Sequence, residues 1–282
     1  KYIKELYLFR DRIGIKPLYY YWDGKNFAFA SEIKALMQLK EIKKENTINK
    51  SAIDHYLHLG YIPEPETIYK NILKFPAGHF AFISTSGMQL KSWWKPEEQI
   101  ITETINDFKT AKNKFKELIT SAVNYRLISD VPYGTFLSGG TDSSLITAIA
   151  QQQTGKIKTF SIGFKEAKYN EAKNAHLIAN HLKTDHHEFI LSYKDAFELF
   201  NTIIPTYDEP FADSSCIPTM LVSKLARQHV KMILSGDGGD ELFFGYGTYH
   251  WAKRMNNPAI NFLRKPISAV LSKMKNREKK AA

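Results

Sequence analysis

The sequence predicts an α/β protein, a doubly wound parallel sheet preceded by the closing part of an antiparallel α+β domain. Three observations carry this. Residues 5–31 alternate in the strand manner around an Asp23-Gly24 turn, an apolar stripe at helical spacing starts at Asp107, and strand and helix patterns alternate from there to residue 234.

In order along the chain, Leu6-Tyr7-Leu8-Phe9, Leu18-Tyr19-Tyr20-Tyr21-Trp22 and Phe27-Ala28-Phe29-Ala30 read as antiparallel strands. A short helix is expected at 32–39, a polar stretch at 40–50, a second helix at 51–59 and a turn at Pro63-Glu64-Pro65. Residues 78–93 form one more hairpin, turning near Ser84–Gly87. From Lys95 to Asn106 the chain is polar and aperiodic, which marks a linker. Phe108, Ala111, Phe115, Leu118, Ile119 and Ala122 then recur at helical spacing. Strands follow at 134–137, 157–163, 186–191 and 230–234, with helices at 142–153, 170–182, 194–204 and 216–229. Strands separated by helices of ten to fifteen residues imply right-handed crossovers and parallel pairing. The expected organisation is therefore a first domain at 1–94, a linker at 95–106, a second domain at 107–255 and a basic tail at 256–282.

Composition narrows the function. With 282 residues, 43% hydrophobic and 24% charged, the chain can bury one large core or two modest ones. No apolar run approaches the roughly 20 residues of a membrane span, and the basic start leads into no signal-peptide core. A single cysteine, Cys216, rules out a disulfide framework or cysteine-pair zinc site within the chain and suits a reducing cytoplasm. Its setting before an apolar helix marks it as a packing residue. The net charge of +10 is lopsided: residues 253–282 hold nine Lys/Arg against one Glu, so the rest is nearly neutral. A basic tail, rather than a nucleic-acid-binding face, is the expectation.

The chemistry concentrates in two loops. Phe136-Leu137-Ser138-Gly139-Gly140-Thr141-Asp142-Ser143-Ser144 joins an apolar strand to a helix. Paired glycines admit close backbone approach, Ser138, Ser143 and Ser144 offer hydroxyls, and the helix start presents free N–H groups; together they suit a pyrophosphate. Asp142 belongs beside such an anion only if a cation lies between them, which makes it a Mg²⁺ ligand. The alternative is an ordinary turn with Thr141 or Asp142 capping the helix. Neither a Walker loop nor a dinucleotide fingerprint occurs, which leaves ATP cleavage at the α-phosphate.

The second loop, Ser235-Gly236-Asp237-Gly238-Gly239-Asp240-Glu241, follows another buried strand. Asp237, Asp240 and Glu241 repel one another and call for a metal ion or a substrate ammonium to neutralise them. Capping of the next helix accounts for Asp240 and Glu241 but leaves Asp237 unexplained. His186 and His187, adjacent on a strand, point to opposite faces and are given no role.

VPYGTFLSGGTDSS and VKMILSGDGGDELFFGY, with TFSIGF and DHHEF between them, resemble the synthetase domain of glutamine-hydrolysing asparagine synthetases. FRDRIGIKPLYYY and FASEIKAL resemble the end of that family's class II glutaminase domain. The resemblance implies a sheet of the PP-loop ATP pyrophosphatase type. It also implies that ATP adenylates the aspartate side chain with release of pyrophosphate, and that ammonia, drawn from glutamine, displaces AMP. By the same resemblance Ser138, Gly139, Gly140, Asp142, Ser143 and Ser144 hold pyrophosphate. Leu137 and Ile162 lie against the nucleotide, and Ser235 and Gly236 touch it through backbone. Asp142 and Asp240 bind Mg²⁺, and Asp237 and Asp240 serve the catalytic step. The implied partners are aspartate, ATP and glutamine or ammonia, with no nucleic acid or membrane and with a homodimer left open.

This chain also departs from the family pattern. It enters the glutaminase fold near its last strands, without the catalytic N-terminal cysteine, so glutamine hydrolysis is not assigned to its residues. The lysines after Trp251 lack the motif around the family's adenylation lysine, which suggests an internal piece of a longer protein. Asp237 stands where many relatives have Glu, and Asp208-Glu209-Pro210-Phe211-Ala212-Asp213-Ser214-Ser215 resembles homologues encoded beside surface-polysaccharide genes. The acceptor carboxylate therefore stays open. So do a β-lactam-synthetase-like ring closure and an ATP-binding homologue without catalysis.

Overall fold

The computed structural model describes residues 5–100, 104–164 and 172–255. The expected basic tail at 256–282 lies outside the described residues. In chain order the elements are β1 (Glu5–Phe9), β2 (Tyr19–Trp22), β3 (Phe27–Ala30), α1 (Ile33–Leu36), α2 (Lys40–Glu45), α3 (Lys50–Leu59), β4 (Ile72–Lys74), β5 (His79–Ser84) and β6 (Gly87–Ser92). Then come α4 (Phe108–Leu127), β7 (Tyr133–Phe136), α5 (Thr141–Thr154), β8 (Lys158–Phe164), α6 (Ala172–Leu182), β9 (Asp185–Leu191), α7 (Tyr193–Thr206), α8 (Cys216–Ala226), β10 (Met232–Leu234), α9 (Gly239–Phe243) and α10 (Gly247–Met255). They form two compact units: residues up to 118 with 191–224, and residues 119–190 with the chain from 225 onward.

The first unit holds two antiparallel sheets, ordered β1-β5-β6 and β3-β2-β4. Alternation along β2 turns Tyr20 and Tyr21 into different clusters: Tyr20 joins Leu8, Phe75, Ala81 and Ile83, and Tyr21 joins Ile33, Leu36, Ile42 and Ile72. Two elements have little sequence signal. α2 sits in the expected polar stretch and is anchored by one buried residue, Ile42, while β4 is only three residues long. Helix α3 follows the usual capping rules, with the Asn49 side chain accepting from Ser51 N–H at the start and Gly60 left-handed at the end. In the loop after β1, Asp11 accepts from the backbone N–H groups of Ile15 and Lys16 at 2.9 and 3.0 Å. Burial alone would raise the Asp11 carboxyl, but backbone N–H donors led by Lys16 and Ile15 hold it below its ordinary value.

Residues 191–224 follow the second pattern in sequence yet group with the first unit, and two adjacent carboxylates explain why. Asp208 Oδ2 accepts from Ile33 N–H at 2.6 Å and Oδ1 from Lys34 N–H at 3.3 Å, so a residue 175 positions away caps α1. Glu209 pairs with Lys74 Nζ at 2.6 Å and accepts from Ile68 N–H at 3.1 Å.

The second unit is a four-stranded sheet ordered β10-β7-β8-β9, with β7 parallel to both β8 and β10. Val123, Ile149, Ala150, Ile157 and Leu234 form its core beside α4 and α5. Thr135 on β7 and Thr147 on α5, both fully buried, share a hydroxyl hydrogen bond of 2.9 Å. That contact fixes the rotation of α5 against the strand from which its loop emerges.

Candidate functional site: two glycine loops at a strand-order reversal

From β7 the chain moves outward to β8 and β9, then returns to place β10 on the other side of β7. Such a reversal opens a crevice at the carboxyl ends of the strands on either side of it, here β7 and β10. The loop after β7 and the loop after β10 are the two segments on which sequence placed the chemistry, and both leave the sheet there.

The first loop is held open by its own hydroxyls. Ser138 Oγ and Ser143 Oγ lie 2.9 Å apart, Gly140 N–H donates to Ser138 Oγ at 3.2 Å, and Ser144 Oγ donates to the Gly140 carbonyl at 2.6 Å. Gly140 occupies the N-cap of α5 and no side chain caps the helix. The capping role weighed for Thr141 and Asp142 is therefore not the arrangement found, and the carboxylate of Asp142 points elsewhere. Gly139 has φ +87°, and a side chain there would meet Asn174 and the Ala175 backbone N within 2.8 Å. Only glycine fits against α6 in that conformation.

The second loop is seated directly on the first. A side chain at Gly236 would lie 2.7 Å from Ser143 N and 3.1 Å from Asp142 Cβ, so the two backbones approach as closely as glycine permits. The Asp142 carboxylate fills the space beside Gly239 at the start of α9, and Asp240 lies against Gly245. Ser235 Oγ donates to Asp237 Oδ2 at 2.7 Å. Again no side chain caps the helix, since the N-cap of α9 is the left-handed Gly238.

Ser138, Gly139, Gly140, Asp142, Ser143, Ser144, Ser235 and Gly236 are thus gathered at one crevice. Leu137 is 1% exposed and packs on Ala175, Ala179 and Ile178, so it offers a ligand only backbone. Ile162 is half-buried on β8. Asp142, Asp237 and Asp240 do not converge as a group of three on a common point among the described residues. The carboxylates of Asp142 and Asp240 make no hydrogen bond or ion pair among those residues, whereas the Glu241 carboxylate accepts from Tyr246 OH at 2.6 Å. That bond lowers the Glu241 carboxyl and pushes the Tyr246 hydroxyl up to about 12.

Sequence reasoning missed the wall behind the loop, Asn174 and Ala175. Its signal was the spacing of Ala172, Ala175 and Ala179, small residues on the buried side of α6. The two strand histidines do face opposite ways. His186 bonds Thr159 Oγ1 at 2.8 Å, and His187 stacks on Phe160 and His229 at 5.2 and 4.1 Å between ring centroids. Burial lowers both, assisted by the neighbouring histidines.

Parallel strands, an order reversal and two interlocked glycine loops define an α/β domain. The asparagine synthase family model matches residues 114–281, and a glutamine amidotransferase domain model matches residues 1–94. The chain belongs to the asparagine synthase family. It is 42% identical over 261 residues to a putative glutamine-hydrolysing asparagine synthetase 2 of Methanocaldococcus jannaschii, covering 91% of this chain and 49% of that protein. Identity is 36% over 245 residues to the glutamine-hydrolysing asparagine synthetase 1 of Bacillus subtilis, with 86% and 38% covered. The chain thus spans half or less of the length of these relatives. No helix among the described residues is long and apolar enough to cross a membrane.

Proposed function

We propose that this chain carries the adenylating centre of a glutamine-dependent asparagine synthetase. A carboxylate oxygen of aspartate attacks the α-phosphorus of ATP, the bond to the β-phosphate oxygen breaks, and pyrophosphate leaves. Ammonia then attacks the acyl carbon, AMP departs with the carbon–oxygen bond pair, and the amide nitrogen loses a proton.

The observation that carries this reading is the seating of Gly236 on Asp142–Ser143. It brings a hydroxyl-lined, uncapped helix start and the Asp142 carboxylate, unpaired among the described residues, up against the second loop. The Ser138, Ser143 and Ser144 hydroxyls and the loop N–H groups would bind pyrophosphate as its charge develops. Asp142 and Asp240 supply oxygen ligands alone and suit Mg²⁺, which typically takes one or two carboxylates together with substrate phosphates rather than a protein cage. When bound, that ion would offset the charge on the phosphates. Asp237, which accepts from Ser235 Oγ, would hold the ammonium of the amino-acid substrate or take a proton from the entering amine. The residues matched by the glutamine amidotransferase model support glutamine as the ammonia source, delivered by the whole protein.

Exchange of labelled pyrophosphate into ATP, measured in the full-length protein, tests the first half-reaction. Exchange dependent on aspartate is expected; its absence with every carboxylate tried would sink adenylation.

A further inference from the structure

A second group of ligating side chains stands apart from the two loops. His176 on α6 and His186 and Glu188 on β9 place their ligand atoms within 4.8 Å of one another. His176 Nδ1 is 3.8 Å and His186 Nε2 is 3.9 Å from the same oxygen, Oε2 of Glu188. Ligand atoms about 2.0–2.1 Å from a tetrahedral zinc stand about 3.3 Å apart, so the two contacts to Glu188 must shorten by about half an ångström and the two imidazole nitrogens, within 4.8 Å of one another, by at most about 1.5 Å. Strand geometry explains the pair from β9: residues two apart share a face, and α6 brings His176 over it.

The surroundings of His186 are those of a metal-ligating imidazole. Its Nδ1 lies 2.8 Å from Thr159 Oγ1, which is itself 2.9 Å from Thr184 Oγ1. With Nδ1–H donated to that hydroxyl, Nε2 is left as the acceptor on the side of Ser161 and Glu188, and anchoring of the second ring nitrogen is the outer-shell device of metal-bound histidines. The other neighbour of Nε2 is Ser161 Oγ at 3.3 Å, a long and easily surrendered contact. The His186 side chain is 10% exposed, Glu188 28% and His176 59%, so the group is anchored at its inner end and open to solvent at its outer end.

We propose that His176, His186 and Glu188 bind a divalent transition-metal ion of the zinc class, with three protein ligands and a fourth position open to water. Two imidazoles and a carboxylate favour such ions over Mg²⁺, which prefers oxygen alone. The ion ties α6 to β9. Because Asn174 and Ala175 of the same helix back Gly139, it also braces the wall of the first glycine loop.

Cobalt(II) titrated into the full chain tests this. One equivalent with the intense visible absorption of four-coordinate cobalt is expected, displaced by one equivalent of Zn²⁺. His176→Ala, at an exposed helix position, should keep its thermal midpoint without metal and lose the absorption. Glu188→Gln should weaken binding at least tenfold, and Thr159→Val about 10–100-fold through loss of the imidazole's anchor. Asp142→Asn should leave the absorption unchanged. Only weak, six-coordinate-type absorption, or an intense band that survives His176→Ala, would overturn the proposal.

Discussion

Three carboxylates of the first unit and two of the second are used in opposite ways. In the first unit Asp11 is engaged by backbone N–H donors, Asp208 caps α1, and Glu209 is shared between Lys74 and the Ile68 N–H. Each acid is spent on local structure. In the second unit the carboxylates of Asp142 and Asp240 lie against glycines with no hydrogen bond or ion pair among the described residues. An acid brought close to other backbone yet given no donor gains nothing for the fold. Its position makes sense when the missing partner is a ligand, because a carboxylate held beside a polyanion needs a cation between them. Acid-rich sequence does not separate the two uses, whereas the hydrogen-bond inventory does.

The largest effect should come from breaking the second use. Asp142→Asn keeps the side-chain volume beside Gly239 and removes the charge. Pyrophosphate exchange by the full-length protein should fall about 10²–10³-fold, the range typical of losing one preorganised electrostatic group, while the thermal midpoint stays put. Asp208→Asn should do the reverse, lowering the midpoint with little change in exchange. If both variants lose stability equally, the division of roles between the units fails.

Next in size is Glu209→Ala. Glu209 and Lys74 are each 15% exposed, so removal of the acid leaves a largely buried ammonium without its counter-charge, held by the Ile62 carbonyl, and leaves the Ile68 N–H without its acceptor. A loss of about 3 kcal/mol is expected by denaturant titration, because stripping one partner from a buried pair costs more than the pair's net worth. Replacing both partners with apolar residues should recover much of it. A loss within 0.5 kcal/mol for the single variant, on the order of an exposed pair, would show that these carboxylates are ornaments of the surface.

These roles were unevenly legible in the sequence. Both glycine loops were readable because strand, glycines, hydroxyls and acids occur within nine consecutive residues, so local chemistry sufficed. The parallel sheet was readable because its strands and helices keep their periods. Asp208 and Glu209 looked only like part of a family segment, since their partners lie 175 and 135 positions away and no local period records such a bond. The same holds for His176, separated by ten residues from His186, and for Asn174 behind Gly139. Helix α2 was hidden for a different reason: a single buried residue, Ile42, gives no stripe to detect. Apart from the short elements α2 and β4, what the sequence withheld were contacts between distant elements.

A smaller effect separates a satisfied polar pair from an unsatisfied one inside the second unit. Thr147→Val removes one hydroxyl of the buried pair and should cost about 1–3 kcal/mol, because the Thr135 hydroxyl is left unpaired. Thr135→Val together with Thr147→Val should lie closer to the parent than the single variant does. Additive losses would show that the hydroxyls act independently.

The smallest effect concerns Asp11, the carboxylate most thoroughly engaged by backbone. Because the fold holds its carboxyl below the ordinary value of 3.8, the stability it adds is present above that pH and is lost as pH falls through the lower folded-state value. Asp11→Asn cannot titrate and keeps one acceptor oxygen, so its stability at neutral pH should drop by about 1 kcal/mol. Once the pH lies below that folded-state value the variant and the parent should converge. A gap that persists in acid would mean that Asp11 acts through the shape of its loop, with Gly14 left-handed beside it, rather than through charge.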